Sequence, residues 1–402
     1  MTDRLAAGRT RWDIVALAVA GGVMVGLAVG KVPPAMAVIA EDFGLGRLVA
    51  GWLASIFFAF GALLGVFTGM AGGLFGARPL LFGGLLVLAA AGALGAFAPD
   101  GGVLLALRVI EGIGFSTITA AAPKLVFDAA SGKDRDLALG IWSAYMPAGM
   151  ALAMVAVPLL LPAIGWRGAW LAGAGVTLVV ALLAAVGTAP RRWPEQPRRV
   201  AGARFDWAGA GETLGRLALW LYAGAFLLYT IQWFAVAAWL PTFLVEAQGH
   251  SPLAAALYAA LVVAANILGN LAGAWLLHRG VPRWGLIALA NLVMGATAAP
   301  ILGAFTPDAA KVPLAFVFSA VSGVLPAAAF SGAAVHAPRP ALVAMSSGFL
   351  VQGAAIGMLA GPPLMAAVVG SLGGWTQAWW TMLICPALGL AIAAGILAKE
   401  RG

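Results

Sequence analysis

Three ionisable side chains lie within long apolar stretches of this 402-residue sequence: Lys31, Arg108 and Glu111. Each stretch is long enough to cross a bilayer, which takes about 20 residues. A charge at bilayer depth is costly and commonly marks the path of a substrate, an ion or a proton. Two cations beside one carboxylate favour an anionic group bound by Lys31 and Arg108, with Glu111 binding a proton or modulating their charge.

The rise of about 1.5 Å per residue gives the depth of these residues, with Lys31 about 12 Å inward from an outer end near Ile39. Arg108 and Glu111 lie about 9 and 13 Å inward from Gly102, so all three share one depth in the outer half of the membrane. A structural alternative stays open. Arg108 and Glu111, three residues apart on one helix, would form an ion pair, while Lys31 bonds to backbone or reaches the interface.

Two prolines, Pro33 and Pro34, follow Lys31 closely. Proline in a span frees backbone groups and often bends the helix. A bent helix beside a buried cation is typical of a binding site, and a simple packing kink is the alternative.

The composition of the chain indicates which secondary-structure elements hold the candidate residues. Apolar residues make up 62% of the chain and charged residues 9%, against about 45–50% and 25% in soluble domains. The 54 glycines suit close helix packing in lipid. We therefore predict an all-α integral membrane protein of about twelve transmembrane helices. The predicted spans are 14–38, 47–69, 79–97, 102–125, 137–162, 169–188, 218–243, 252–277, 284–305, 312–335, 341–368 and 376–397.

Neutral polar side chains are the candidates in the remaining spans. The second half has no ionisable residue deep in a span, so we expect a neutral contribution from it. Hydrogen bonding between helices is the structural alternative for each buried amide. The candidates are Trp142 and Tyr145 in the fifth span, Tyr229 and Gln232 in the seventh, Asn266 and Asn270 in the eighth, Ser319 and Ser322 in the tenth, and Gln352 in the eleventh.

The distribution of cations indicates the topology. Of the 23 Lys and Arg residues, 18 fall on the side of both termini, and only Arg47, Arg167 and Lys311 lie on the other side. The positive-inside rule then predicts cytoplasmic termini, so the net charge of +8 does not indicate a nucleic-acid partner. A cleaved signal peptide is the alternative for the basic start and the run from Ile14. That run exceeds the usual length of about 7–15 residues.

An internal repeat divides the chain into halves. The segment GWRGAW at 165–170 recurs as GWTQAW at 374–379, an offset of 209, and the fifth span recurs in the eleventh at an offset of 204. With six spans each, both halves enter the membrane from the same side, as parallel copies. We expect an N-terminal six-helix bundle at 1–188, a cytoplasmic linker at 189–217 and a C-terminal six-helix bundle at 218–402.

Sequence motifs of enzymes are missing. The chain has no G-x-x-x-x-G-K-[ST] phosphate loop, so it does not hydrolyse ATP, and it has no H-E-x-x-H or G-x-S-x-G motif. The single Cys385 excludes an intramolecular disulfide and a cysteine metal cluster. The three histidines lie near loops. We expect neither an enzyme nor a cofactor or metal site.

The loop after the second span resembles a gating motif of the major facilitator superfamily, G-x-x-x-D-R-x-G-R-[KR]. It runs from Gly69 through Gly76 to Arg78, with Gly73 and Leu74 at the positions of the usual Asp and Arg. These two departures remove the charges with which the loop normally contacts neighbouring helices.

Other segments carry the same resemblance over the whole chain. The second-half copy of the loop keeps Arg279, with His278 in place of Asp, and RVIEGIG at 108–114 is similar to the family motif R-x-x-x-G-x-G. Pro147-Ala148-Gly149 is a loose relative of a motif found in antiporters. The resemblance implies two parallel six-helix bundles and a central cavity lined by the first and fourth spans.

These observations predict a secondary active transporter that moves a small organic or inorganic anion by alternating access. We expect a multi-pass protein of the plasma membrane, the inner membrane of a bacterium, with the lipid bilayer, the anion and protons as partners. Glu111 is the candidate proton carrier for symport, and uniport or exchange follows if an ion pair immobilises it. The alternatives are a proton-driven multidrug or metabolite exporter, or a membrane receptor or assembly factor that has lost the transport cycle.

Overall fold

The computed structural model describes residues 9–188, 206–339 and 342–401, and within these ranges the chain is helical with no strand. Helices satisfy every backbone hydrogen bond internally, as lipid requires. Eleven helices of the described residues are long and apolar enough to cross a membrane. They are Trp12–Phe43, Arg47–Phe67, Ala77–Gly95, Gly101–Ala129, Tyr145–Gly187, Leu217–Gln248, Pro252–His278, Arg283–Leu302, Asp308–Val335, Val343–Leu372 and Trp379–Arg401. The second of these continues as helix to Phe75.

The longest helix, Tyr145–Gly187, contains two spans. Its 43 residues would measure about 65 Å at 1.5 Å per residue, twice the bilayer core of about 30 Å. Gly165 interrupts it with a φ of 64°, a left-handed conformation that glycine adopts readily. Trp166 bonds to Asp42 at the outer end of the first span, whereas Gly149 and Gly187, on either side of it, lie beside Gly26 and Leu17 further inward. The chain therefore reverses at Gly165. The twelve predicted spans are thereby confirmed.

The first span breaks at Lys31, between the helices Trp12–Gly30 and Val32–Phe43. Pro33 and Pro34 have no backbone N–H, so the carbonyls four residues before them lose their helical partners. The predicted bend is therefore present. The span ends at Phe43 rather than near Ile39, and Lys31 lies about 18 Å from its outer end instead of 12 Å.

The two halves repeat each other in structure. The first span, Trp12–Phe43, and the seventh, Leu217–Gln248, each have 32 residues at an offset of 205. Gly44 and Gly249 follow them with φ values of 62° and 68°, so both helices end in the same left-handed cap. The loop that follows is also equal in length, since the next helices begin at Arg47 and Pro252.

The most extensive contacts between the halves are those of the second span with the eleventh and of the fifth span with the eighth. The second and eleventh approach closely. A Cβ atom on Gly51 would lie 3.0 Å from the carbonyl oxygen of Pro362, and one on Gly65 would lie 2.5 Å from the Cβ of Gln352. Glycine at these positions lets the two backbones pack together.

A cavity of about 420 Å³ opens on the side that carries the termini. Its lining comes from the inner half of the first span and from Arg135–Ser143, a short helix that precedes the fifth span. The lining residues are Trp12, Val15, Ala16, Val19, Ala20, Val23, Met24 and Ile141. By the positive-inside rule this side is cytoplasmic.

Residues 189–205 of the predicted linker, 189–217, lie outside the described residues. In the described part of the linker, Asp206 caps the short helix Trp207–Leu214. Arg339, in the loop before the eleventh span, pairs with Asp206 at 3.0 Å and with Glu212 at 3.3 Å. The end of the linker is thus fixed to the second half.

Candidate functional site

The three buried charges form one cluster. Lys31 Nζ lies 2.6 Å from Glu111 Oε1, and the Nη1 atom of Arg108 binds Glu111 Oε2. The side chains of Lys31, Glu111 and Arg108 are 5%, 2% and 1% exposed. The prediction that these residues meet at one depth is therefore confirmed. Lys31 bonds to a carboxylate, so neither backbone bonding nor reaching the interface describes it.

Arg108 uses only part of its hydrogen-bonding capacity. Its Nη1 also donates to the carbonyl of Ala28 at 2.9 Å, and its guanidinium lies 4.7 Å from the ring centre of Phe57. Its Nε and Nη2 atoms have no hydrogen-bond partner among the described residues. An unpaired buried donor of a charged group costs free energy. The N–H groups of these two nitrogen atoms are therefore available to bind an acceptor.

The other side of the cluster faces the third and sixth spans. Lys31 Nζ lies 4.6 Å from the ring centre of Trp170, a cation–π contact. Gly92 leaves the space that the carboxylate occupies, since a Cβ there would lie 3.0 Å from Glu111 Oε1. The charges are therefore enclosed by five spans of the first half.

Four phenylalanines form a layer next to the cluster. Phe58 contacts Phe57, Phe115 and Phe234, with ring centres 5.3, 5.4 and 5.1 Å apart. Phe115 lies one helical turn inward of Glu111, and Phe234 belongs to the seventh span. The layer thus joins the two halves next to the charges.

The candidates of the second half form a separate polar network. The Asn266 amide donates to the Tyr229 hydroxyl and to the Ser319 carbonyl, each at 3.0 Å. The Trp233 indole donates to Ser319 Oγ at 3.0 Å, and the Asn270 amide donates to Asn266 Oδ1 at 2.9 Å. The last of these bonds lies within the eighth span, and the other three are the interhelical hydrogen bonds of the structural alternative, which join the seventh, eighth and tenth spans.

Four other predicted residues lie apart from both groups. Gln232 donates to the carbonyl of Met382 at 2.9 Å, within the second half. Tyr145 stacks on Trp142 with ring centres 4.4 Å apart. Gln352 bonds across the halves, to carbonyl groups of the second span. The predicted site residues therefore lie in several separate parts of the structure.

The described residues of the gating loop and of its second-half copy contact neighbouring spans or their own helix. Gly76 has a φ of 83° between the second and third spans, and Gly69 lies in the helix that ends at Phe75. Arg78 donates to the carbonyl of Ala185 in the sixth span at 3.3 Å. The Arg279 guanidinium lies 4.9 Å from the ring centre of Trp275 in its own span. A gating role for these residues stays a prediction.

Sequence reasoning missed the residues that surround the charges, Phe57, Gly92 and Trp170. One signal was available for Trp170, because it ends the repeated segment at 165–170. Phe57 and Gly92 have no such marker, since phenylalanine and glycine are common in all the spans.

Comparison with known proteins identifies relatives over most of the chain. A sequence profile described as Major Facilitator Superfamily matches residues 18–351. A niacin transporter of Acinetobacter baylyi is 24% identical and covers 69% of each chain. A gentisate transporter of Corynebacterium glutamicum is 24% identical and covers 85% of this chain and 76% of its own. A puromycin resistance protein of Streptomyces alboniger is 30% identical over 54% of this chain and 42% of its own.

A solved structure has the same fold. It is a bacterial homologue of the human lysosomal transporter Spinster in an inward-facing, unoccupied conformation. The TM-score is 0.75 at 16% identity, and the alignment covers 97% of each chain.

Proposed function

The chain belongs to the major facilitator superfamily and is a membrane transporter, and we propose that it moves a small anion together with a proton. Arg108 binds the anion in this proposal, and Glu111 carries the proton. The observation that carries it is the buried cluster, with two cations, one carboxylate and a guanidinium with two unpartnered nitrogen atoms.

The charge balance of the cluster supports an anionic substrate. Lys31, Arg108 and Glu111, all buried, sum to one net positive charge. Buried charges are tolerated when they are paired and hydrogen-bonded, and a carboxylate fits the planar guanidinium fork of arginine. Niacin and gentisate, named in two relatives, are both carboxylates at neutral pH, which agrees with this chemistry.

Coupling to a proton follows from competition for Arg108. The substrate anion and Glu111 both bind this guanidinium, so arrival of the anion weakens the hold on the Glu111 carboxylate. Glu111 then takes up a proton, and the net charge of the occupied site equals that of the empty site. Movement of one anion with one proton therefore adds no charge to the buried cluster.

Access to the cluster depends on the phenylalanine layer. Phe57, which covers the Arg108 guanidinium, packs against Phe115, and Phe58 contacts Phe234 of the other half. In the proposed cycle, relative movement of the halves separates Phe58 from Phe234 and exposes the cluster. The substrate then reaches Arg108 from the space between the halves, the region where transporters built from repeats bind their substrates.

A second candidate is a drug exporter, which the cytoplasmic cavity favours. All eight lining residues are apolar, and they suit a lipophilic body rather than an anion. One relative is named for puromycin resistance. This reading leaves the two unpartnered nitrogen atoms of Arg108 without a role.

Proton flux in proteoliposomes distinguishes the two candidates. Small carboxylates, including nicotinate and gentisate, and inorganic anions are added outside while a trapped dye reports internal pH. We expect acidification that depends on the anion and is lost in Glu111→Gln. Asp42→Asn is the matched control, because it removes an outer carboxylate of the same half and should retain the flux. Proton movement driven by lipophilic cations, with no response to any anion, would instead establish the exporter.

A further inference from the structure

The repeated tryptophans hold a carboxylate at the outer end of each half. The Trp166 indole donates to Asp42 at 2.9 Å, at the end of the first span. The Trp375 indole donates to Glu246 at 2.8 Å, at the end of the seventh span. The two copies of the repeated segment, GWRGAW and GWTQAW, therefore make the same kind of contact, in which a tryptophan donates to a carboxylate near the end of the first span of its half.

The cation that completes each unit has a different origin. In the first half Arg167, the residue after Trp166, binds Asp42. In the second half Thr376 follows Trp375, and its hydroxyl bonds to the neighbouring Gln377 instead.

Glu246 receives its cation from the other half. Arg47, the first residue of the second span, lies 3.0 Å from Glu246 Oε2, and its guanidinium lies 5.3 Å from the ring centre of Trp375. The corresponding first residue of the eighth span is Pro252, so the second half offers no reciprocal cation to Asp42. The second copy of the repeated segment thus has no arginine after its tryptophan, and the carboxylate that this tryptophan contacts forms an ion pair with the other half instead.

We propose that Arg47, Glu246 and Trp375 form a lock that holds the outer ends of the two halves together. Just inside it, the second and eleventh spans touch at Gly51 and Pro362. The lock therefore stabilises the conformation that is closed outside. It must break before the outer side opens, whatever the substrate is.

The strength expected of the lock is modest. The side chains of Arg47 and Glu246 are 37% and 42% exposed, so water screens the pair. Loss of such a pair changes an equilibrium by roughly two- to fivefold. That is a suitable size for a contact that breaks in every cycle.

Thr376→Arg tests the lock without removing any of its members. It restores the arginine that the first copy has, so Glu246 gains a partner within its own half and Arg47 is released. Nitroxide labels on Phe97→Cys and Leu253→Cys, in a Cys385→Ser background, report the distance between the outer ends by pulsed electron resonance. We expect the population with the longer distance to rise about two- to fivefold, and Arg47→Gln should give the same change.

The double variant Arg47→Gln with Thr376→Arg shows whether both act on one contact. It should equal either single variant, because the same ion pair is lost. Asp42→Asn with Arg167→Gln removes the pair within the first half and should leave the distances unchanged. Unchanged distances in Thr376→Arg and Arg47→Gln would overturn the proposal, as would additive effects in the double variant.

Discussion

Lys31 and Glu111 form a buried ion pair of 2.6 Å that joins the first and fourth spans. The second oxygen of the same carboxylate binds Arg108. One carboxylate thus neutralises two cations, so the members of the cluster are not equivalent. Their removal has different consequences for stability and for transport.

Glu111→Leu should destabilise the protein more than Lys31→Met. Without Glu111, two buried cations face each other with no counter-charge, whereas loss of Lys31 leaves a balanced Arg108–Glu111 pair. Removing one partner of a buried pair costs about 3–5 kcal/mol, and we expect Glu111→Leu in that range and Lys31→Met below it. Thermal unfolding followed by tryptophan fluorescence in detergent measures both. Equal losses, or the reverse order, would contradict a cluster held together by Glu111.

Arg108→Lys should weaken anion binding while the charge of the cluster is kept. A lysine presents no planar fork, and it cannot reach Glu111, the carbonyl of Ala28 and an anion together. Loss of a hydrogen bond to a charged group costs about 1.5–3 kcal/mol, so the apparent KM for the anion should rise about 10- to 150-fold. The measurement is the concentration dependence of uptake into proteoliposomes. A KM like that of the parent would show that the guanidinium does not touch the substrate.

Gln352→Leu should loosen the second span at its break. The helix departs from helical geometry at Leu64, and Gln352 of the other half donates to the carbonyls of Ala62 and Leu63 at 2.9 and 3.3 Å. It also accepts from the Val66 N–H at 3.3 Å. Without the amide these groups lose a partner, at about 1–3 kcal/mol.

Hydrogen exchange read by mass spectrometry detects this loosening. In Gln352→Leu we expect faster exchange in peptides that contain Leu64. Gln232→Leu is the matched control, since its hydrogen bond to Met382 lies within the second half and its loss should leave those peptides unchanged. Unaltered exchange around Leu64 in Gln352→Leu would show that the amide does not support the break.

The number and limits of the spans could be predicted from the sequence because hydropathy depends on composition alone. The second span was predicted at 47–69 and starts at Arg47. The largest difference is in the fifth, which was predicted from 137. There the chain forms the separate helix Arg135–Ser143 and turns at Ala144. The segment is apolar on both sides of this turn, so hydropathy does not indicate where the helix is interrupted.

The meeting of Lys31, Arg108 and Glu111 was also predictable, because the helical rise determines depth along the membrane normal. Rotation about the helix axis was not predictable from hydropathy. Tyr229 and Gln232 lie within one turn of the seventh span, yet they bond to Asn266 and Met382, which belong to different spans. Which neighbour a polar residue faces depends on packing, and apolar residues surround every position on these helices.

The last prediction concerns the close crossing of the second and fourth spans, where Gly112 meets the backbone of Phe57. A Cβ at Gly112 would lie 2.0 Å from the Phe57 carbonyl oxygen, so Gly112→Ala forces the spans apart. Overpacking of this kind costs about 1–3 kcal/mol, which exceeds the gain of up to about 1 kcal/mol in helix propensity. Gly175→Ala is the matched control, because nothing lies within 4 Å of the Cβ position.

Thermal unfolding should show a loss of stability for Gly112→Ala and no loss for Gly175→Ala. Phe57 also covers the Arg108 guanidinium at 4.7 Å, so displacement of the second span should disturb the charged cluster as well. We therefore expect Gly112→Ala to reduce anion-dependent proton flux even at temperatures where the protein stays folded. Full flux in a destabilised Gly112→Ala would show that Phe57 does not position Arg108. Unchanged stability would show that the spans can separate at no cost.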